Sequence, residues 1–197
     1  VRNEERKAAP SFLGEPMNDR DRLKELLKTC SLKTGDFLLA SGRRSKYYFD
    51  SKLTTLTSEG AYLTAKCFLE VIRREGIQAQ AIGGMTLGAD PIVAAVAALS
   101  HAEGPPLDAF IVRKEPKGHG TMQWIEGPVS PGQKVIIVDD VVTTGGSTLK
   151  AIEKAREFGL EVVAVMALLD REEGGTEALS SKFTFFPVTR RTEIFGE

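Results

Sequence analysis

The amino-acid sequence predicts an α/β fold, a mostly parallel sheet flanked by helices, with a small subdomain at its N-terminal end. Three observations lead there. Short apolar runs alternate with helical stretches from about residue 80 onward, the pattern of a parallel sheet whose crossovers are helices. The runs are apolar at nearly every position, as in Val135-Ile136-Ile137-Val138, which suits strands covered on both faces. A chain of 197 residues is long enough for one well-buried core and short for two.

Residues 1–17, VRNEERKAAPSFLGEPM, are polar, contain proline and lack periodicity. They read as a flexible tail, with Met17 as a candidate start and residues 18–197 as a single domain. Asn18 or Asp19 can cap a helix whose Leu23, Leu26 and Leu27 form one apolar stripe, ending near Cys30 before Thr34-Gly35. Phe37–Asp50 reads as a hairpin around Ser41-Gly42, because aromatic and aliphatic residues flank a small polar cluster. Ser58 then opens a helix carrying Leu63, Cys67, Phe68, Val71 and Ile72, which Gly76 stops. Beyond it, strands are expected at Gln80–Ile82, Asp108–Val112, Lys134–Val138 and Glu161–Leu168, with helices at Pro91–His101 and Ser147–Phe158. The longest interruption, Lys114 to Gln133, is a loop of about 20 residues, a length that in a compact domain is usually functional or mobile.

Apolar residues make up 42% and charged residues 27%, as in ordinary globular proteins, and the formal net charge is -1. No global attraction for nucleic acid or an anionic membrane follows, so neither is expected as a partner, and an anionic ligand must meet local clusters of Lys and Arg. Cys30 and Cys67 are too far apart for a zinc or redox motif and read as two buried small hydrophobes. No apolar run reaches the roughly 20 residues of a membrane span, and the N-terminus lacks a signal-peptide core, so a cytoplasmic location is expected.

The strongest chemical signal is VIIVDDVVTTGGS, Val135 to Ser147. An apolar strand leads into Asp139, Asp140, Val141 and Val142, then a turn of Thr143, Thr144, Gly145, Gly146 and Ser147 before a helix. Hydroxyls and open backbone N–H groups at the positive end of a helix dipole form a ready phosphate cradle. Two carboxylates beside it would repel that phosphate, so they suit hydroxyls or a hydrated metal instead. A ribose 5-phosphate fits both halves. The GxxxxGK[ST] and GxGxxG patterns are absent, which sets aside the NTPase loop and the dinucleotide fold. A second segment, FIVRKEPKGHG, puts Arg113, Lys114, Lys117 and His119 at the end of another strand and onto the long loop, where cations can neutralise charge on a leaving group.

The order apolar strand, DD, two residues, TTG and a hydroxyl resembles the signature of the type I phosphoribosyltransferases, and RKxxKxHG resembles the catalytic loop of their orotate branch. The resemblance spans about Phe37 to Gly175 and implies the type I phosphoribosyltransferase fold with a hood of about residues 18–56 and a core of about 57–197. It implies transfer of the 5-phosphoribosyl group from 5-phosphoribosyl-1-diphosphate to orotate, giving orotidine 5′-monophosphate and pyrophosphate, in de novo pyrimidine synthesis. Arg113, Lys114, Lys117, His119, Asp139 and Asp140 are then the catalytic residues, and these together with Val141–Ser147 meet the donor. Tyr48, Phe49, Thr143 and Arg171 meet orotate, the Arg171 guanidinium matching its carboxylate. The resemblance also implies Mg2+ carried on the diphosphate without a dedicated protein cage, and a homodimer in which the loop serves the neighbouring site. Some members of the family carry lysines where this chain has Ala40 and Leu87. Purine or uracil transferases would share the ribose-phosphate motif but have no reason to combine RKEPKGH with Arg171.

Overall fold

A computed structural model of the chain describes residues 17–38, 44–116 and 123–196. Helix α1, Asp19–Leu26, begins where Asn18 accepts a hydrogen bond from the Asp21 backbone N–H, with Asp19 and Asp21 in the first turn complementing the helix dipole. It runs on through a π-helical turn, Leu27–Ser31, into β1, Leu32–Leu38, which pairs antiparallel with β2, Arg44–Phe49. The short α2, Lys52–Thr55, leads to α3, Ser58–Arg74, capped by Thr57 one residue ahead of the expected Ser58.

The core sheet follows: β3, Ala81–Met85; α4, Asp90–Glu103; β4, Asp108–Val112; β5, Ile125–Glu126; β6, Lys134–Val142; α5, Gly146–Glu157; β7, Glu161–Asp170; α6, Gly175–Ser180; β8, Phe185–Arg190; and α7, Arg191–Phe195. Its strand order is β5-β4-β3-β6-β7-β8, parallel throughout except for β5 at one edge. Alternation within the buried strands sorts side chains onto two faces. Ile82, Ile136, Val138, Met166 and Leu168 pack with α1, α3 and α4, while Ala81, Val135, Ile137, Val165 and Ala167 pack with α5 and α6. This is the expected mostly parallel sheet flanked by helices.

Several boundaries differ from the sequence reading. β1 starts at Leu32 and takes in Thr34-Gly35, with a register shift between Thr34 and Phe37 that lets the strand absorb residues resembling a turn. β3, β6 and β7 run past the expected ends at Ile82, Val138 and Leu168 to Met85, Val142 and Asp170, because the ladder bonds continue there. Cys67 is buried, and burial pushes its thiol up to about 12, but Cys30 is exposed on the π-helical turn. β8 carries Pro187, tolerable because the strand lies at the sheet edge. No helix among the described residues is long and apolar enough to cross a membrane.

The hood is stitched to the far end of the core by Arg20, whose Nε donates to the Val188 carbonyl at 3.0 Å and whose Nη2 reaches both Glu193 oxygens at 2.7 and 2.8 Å. In the sheet, β3 approaches β6 so closely that a Cβ on Gly84 would lie 2.0 Å from the Val138 carbonyl oxygen. Gly84→Ala is therefore expected to lower stability by about 2–3 kcal/mol, since a backbone atom cannot step aside. A urea titration would show this as a lower midpoint, with the midpoint of Gly104→Ala unmoved because nothing lies within 4 Å of that site.

Candidate active site

The β3–β6 ladder ends at the pair Gly84–Val138, whereas β6 and β7 continue together to Val142–Asp170. Beyond the carboxyl end of β3 this leaves a cleft of about 340 Å³, lined among others by Lys52, Leu87, Lys114, Asp139, Asp140 and Ser147. Open parallel sheets bind ligands in this position.

The two acids differ in surroundings. Asp139 is buried and accepts hydrogen bonds from the Ser147 hydroxyl at 2.7 Å and the Thr148 hydroxyl at 2.6 Å. Burial pushes its carboxyl up to about 6, against the pull of those hydroxyls and with a smaller push from the Asp140 charge. Asp139 thus fastens the first turn of α5 to the end of β6. Asp140 is partly exposed to the cleft, and its Oδ2 accepts a hydrogen bond from the Ser51 hydroxyl. The chain passes so near that a Cβ on Gly88 would lie 2.1 Å from Asp140 Oδ1. Three separate segments therefore meet at this one carboxylate.

Between the acids and the helix, Gly145 takes a left-handed conformation, φ 82°, and is the N-cap of α5. Thr144, Gly146 and Ser147 are exposed at that N-terminus, so the turn presents hydroxyls and N–H groups to solvent. Gly175 at the start of α6 lies beneath it, where a Cβ would stand 2.5 Å from the Thr143 carbonyl oxygen.

Lys114 lines this cleft and, with Thr86, Arg113 and Glu126, an adjoining one of about 550 Å³. Arg113 is held by its backbone N–H to the Trp124 carbonyl at 2.9 Å and by Nη1 to Glu126 Oε1 at 3.3 Å. The Trp124 ring faces the Lys150 and Lys154 ammoniums of α5 at 5.4 and 4.8 Å. Lys117 and His119 lie outside the described residues, as does Ala40.

Arg171 follows β7. Buried Asp170 organises the turn by accepting bonds from the Glu172 backbone N–H and the Thr176 hydroxyl, and the Arg171 backbone N–H donates to the Val142 carbonyl at 2.8 Å. The Arg171 guanidinium pairs with Glu173 at 2.8 Å and lies 5.9 Å from the Phe195 ring centre, while its buried Nε has no hydrogen-bond partner. Phe49 stacks on the same Phe195 ring at 5.8 Å, so Phe195 joins hood and core beside Arg171. Tyr48 instead lies against Phe37 at 5.6 Å and is exposed.

The structure thus gathers Lys114, Asp139, Asp140 and Ser147 into one cleft and sets Phe49 with Arg171 around Phe195. Sequence reading did not identify Ser51, Gly88 or Phe195 as parts of these clusters. Among the described residues no group of three or more His, Cys, Asp or Glu side chains could hold a metal ion.

Known proteins resemble this chain over most of its length. Residues 85–193 match the family model described as the phosphoribosyl transferase domain. The orotate phosphoribosyltransferase of Rhodopirellula baltica is 48% identical over 80% of this chain and 83% of its own length. A crystal structure of the orotate phosphoribosyltransferase of Mycobacterium tuberculosis is 36% identical, covers 90% of this chain and 99% of its own, and superposes with a TM-score of 0.81. That enzyme in complex with 5-phospho-alpha-D-ribosyl 1-diphosphate is 34% identical with a TM-score of 0.77, over 90% of this chain and 99% of the other. An acid pair leading into a glycine- and hydroxyl-rich helix N-terminus, on a fold shared with these enzymes at such identity, leaves one conclusion: the chain belongs to the orotate phosphoribosyltransferase family.

Proposed function

We propose that this chain transfers the 5-phosphoribosyl group from 5-phosphoribosyl-1-diphosphate to orotate, forming orotidine 5′-monophosphate and pyrophosphate in de novo pyrimidine synthesis. The observation that carries the reading is a juxtaposition on adjacent strand ends. The phosphate-cradling turn after β6 and a guanidinium with an unpartnered buried Nε–H after β7 are tied together by the bond from the Arg171 N–H to the Val142 carbonyl. One suits a sugar phosphate and the other a carboxylate, as the two substrates require.

In this mechanism a ring nitrogen of orotate displaces pyrophosphate at ribose C1 with inversion, through a transition state of oxocarbenium character. The turn Thr143–Ser147 holds the 5-phosphate, and Asp139 maintains that turn through Ser147 and Thr148. Asp140, the acid that faces the cleft, accepts the ribose hydroxyls and favours positive charge at C1. Arg113 and Lys114, together with Lys117 and His119 of the loop, stabilise departing pyrophosphate. Arg171 reads the orotate carboxylate, with Phe49 and Tyr48 of the hood and Thr143 on the base side. Mg2+ commonly takes one or two carboxylates and fills its shell with phosphate oxygens and water, a demand that the partly exposed Asp140 carboxylate fits. When bound with the diphosphate, the ion would offset charge on the leaving group. The working unit is a homodimer, a reading supported by the exposed apolar side chains of Leu53 on α2, Leu56 just after it and Tyr62 on α3, which a second copy would cover.

Purified protein given orotate, the diphosphate donor and Mg2+ should form orotidine 5′-monophosphate, with uracil and hypoxanthine left unreacted. Turnover of either alternative base in preference to orotate would sink the assignment.

Asp140→Asn should lower kcat/KM for the donor by roughly 10- to 100-fold, the value of a hydrogen bond to a charged group. Gly88→Ala should have an effect in the same direction, because its methyl group must displace the Asp140 carboxylate, the mobile partner in that contact. Both variants should melt close to the parent protein, and normal donor kinetics in both would remove Asp140 from the ribose site.

Arg171→Ala should weaken orotate by roughly 10- to 100-fold while donor affinity holds, since only the carboxylate loses its partner. Equal losses for both substrates in equilibrium binding would assign Arg171 to the turn rather than to the base.

A further inference from the structure

The cleft beyond β3 is lined by four ionisable side chains, Lys52 and Lys114 against Asp139 and Asp140. A diphosphate carries several negative charges, and a cleft wall that holds Asp140 facing it and Asp139 just behind is unfavourable unless cations outweigh them. Lys114 approaches from the end of β4. On the β3 side the wall is made by Thr86, Leu87 and Gly88, without charge, and Leu87 is 67% exposed there. The cation nearest in the chain to Asp140's partner Ser51 is Lys52, the first residue of α2.

Lys52 is held in place by its neighbours. Ser51, buried, bonds Asp140, and the Asp50 carboxylate pairs with the Lys52 ammonium at 2.6 Å and accepts its backbone N–H at 3.1 Å. Three consecutive residues thus fix the start of α2 at the cleft wall and orient the lysine. Its side chain keeps 41% of its exposure, leaving the ammonium open to a ligand. The hydrogen bond to Asp50, followed by the charges of Asp50 and Asp140, raises its pKa above the ordinary value, so it stays charged.

We propose that Lys52 is a diphosphate-binding residue, supplying from the hood the positive charge that the Leu87 side of the cleft lacks; this rests on the phosphoribosyl transfer proposed above. When the donor arrives, the ammonium exchanges part of its contact with Asp50 for diphosphate oxygens. No bond is made or broken by Lys52, which acts by charge and position. Without it, the carboxylates of the cleft outnumber the described cations on its wall.

The test compares equilibrium binding of Mg2+-pyrophosphate and of ribose 5-phosphate to the wild type, Lys52→Ala, Lys52→Gln, Lys52→Arg and the double variant Lys52→Ala/Leu87→Lys. Pyrophosphate should weaken about tenfold in the Ala and Gln variants, the low end for a charge-assisted hydrogen bond because the lysine is partly exposed to solvent. Ribose 5-phosphate should bind as in the wild type, Arg should restore pyrophosphate binding, and Leu87→Lys should recover it by returning a cation to the opposite wall. Unchanged pyrophosphate affinity in both neutral variants would overturn the proposal, as would an equal loss of ribose 5-phosphate, which would mean that Lys52 only supports the Ser51–Asp140 contact. A wild-type protein that forms no orotidine 5′-monophosphate yet shows this binding pattern would sink the proposed reaction and leave Lys52 as an anion site.

Discussion

The architecture of the site depends on a mismatch in strand length. β3 stops pairing with β6 at Val138, but β6 remains in register with β7 for four more residues, through Asp139 and Asp140 to Val142. A flexible loop carrying two acids would let them swing to solvent. A hydrogen-bonded strand fixes their directions instead, and strand alternation sends successive side chains to opposite sides. One consequence is the division of labour between them: Asp139 turns inward to the hydroxyls of Ser147 and Thr148, and Asp140 faces the cleft. Because the acids sit on a paired strand, the proposed reaction would leave little reorganisation for the moment of binding, which is how fixed dipoles and charges contribute most.

Much of this was legible in the sequence, and the reasons differ by element. The buried strands and the helices α3, α4 and α5 are long enough for their periodicity to stand out, and the ribose-phosphate motif is contiguous. What escaped is mostly non-contiguous or short. Ser51 meets Asp140 across 89 residues, and Phe195 joins Phe49 to Arg171 from the last helix, with no spacing rule linking them. The helices α2, α6 and α7 span only four to six residues each, too few for an apolar stripe. Cys30 sits in an apolar pattern yet is exposed, because the π-helical turn rotates the chain out of the stripe set by Leu23 and Leu27. Lys117 and His119 were read from the same loop motif as Lys114, and they lie outside the described residues.

In the role proposed for it, Arg171 would meet its ligand from a position already fixed by the protein. Its backbone is tied to Val142, the turn around it is organised by Asp170, and its guanidinium is engaged by Glu173 and Phe195. Its Nε is buried and without a hydrogen-bond partner. An orphaned donor costs about 1–3 kcal/mol, and a carboxylate that satisfies it recovers that cost as affinity.

The clasp of Arg20 on Val188 and Glu193 has a consequence for how the chain folds. Those contacts join residues 168 and 173 positions apart, and they hold α1 against the last strand and helix. Such distant contacts need β8 in place at the edge of the sheet, so the expected order is the core first and the hood docked onto it. Native-state hydrogen exchange would then divide the molecule unequally, with α1 and the β1–β2 ribbon opening as a unit of lower protection than β3, β6 and β7.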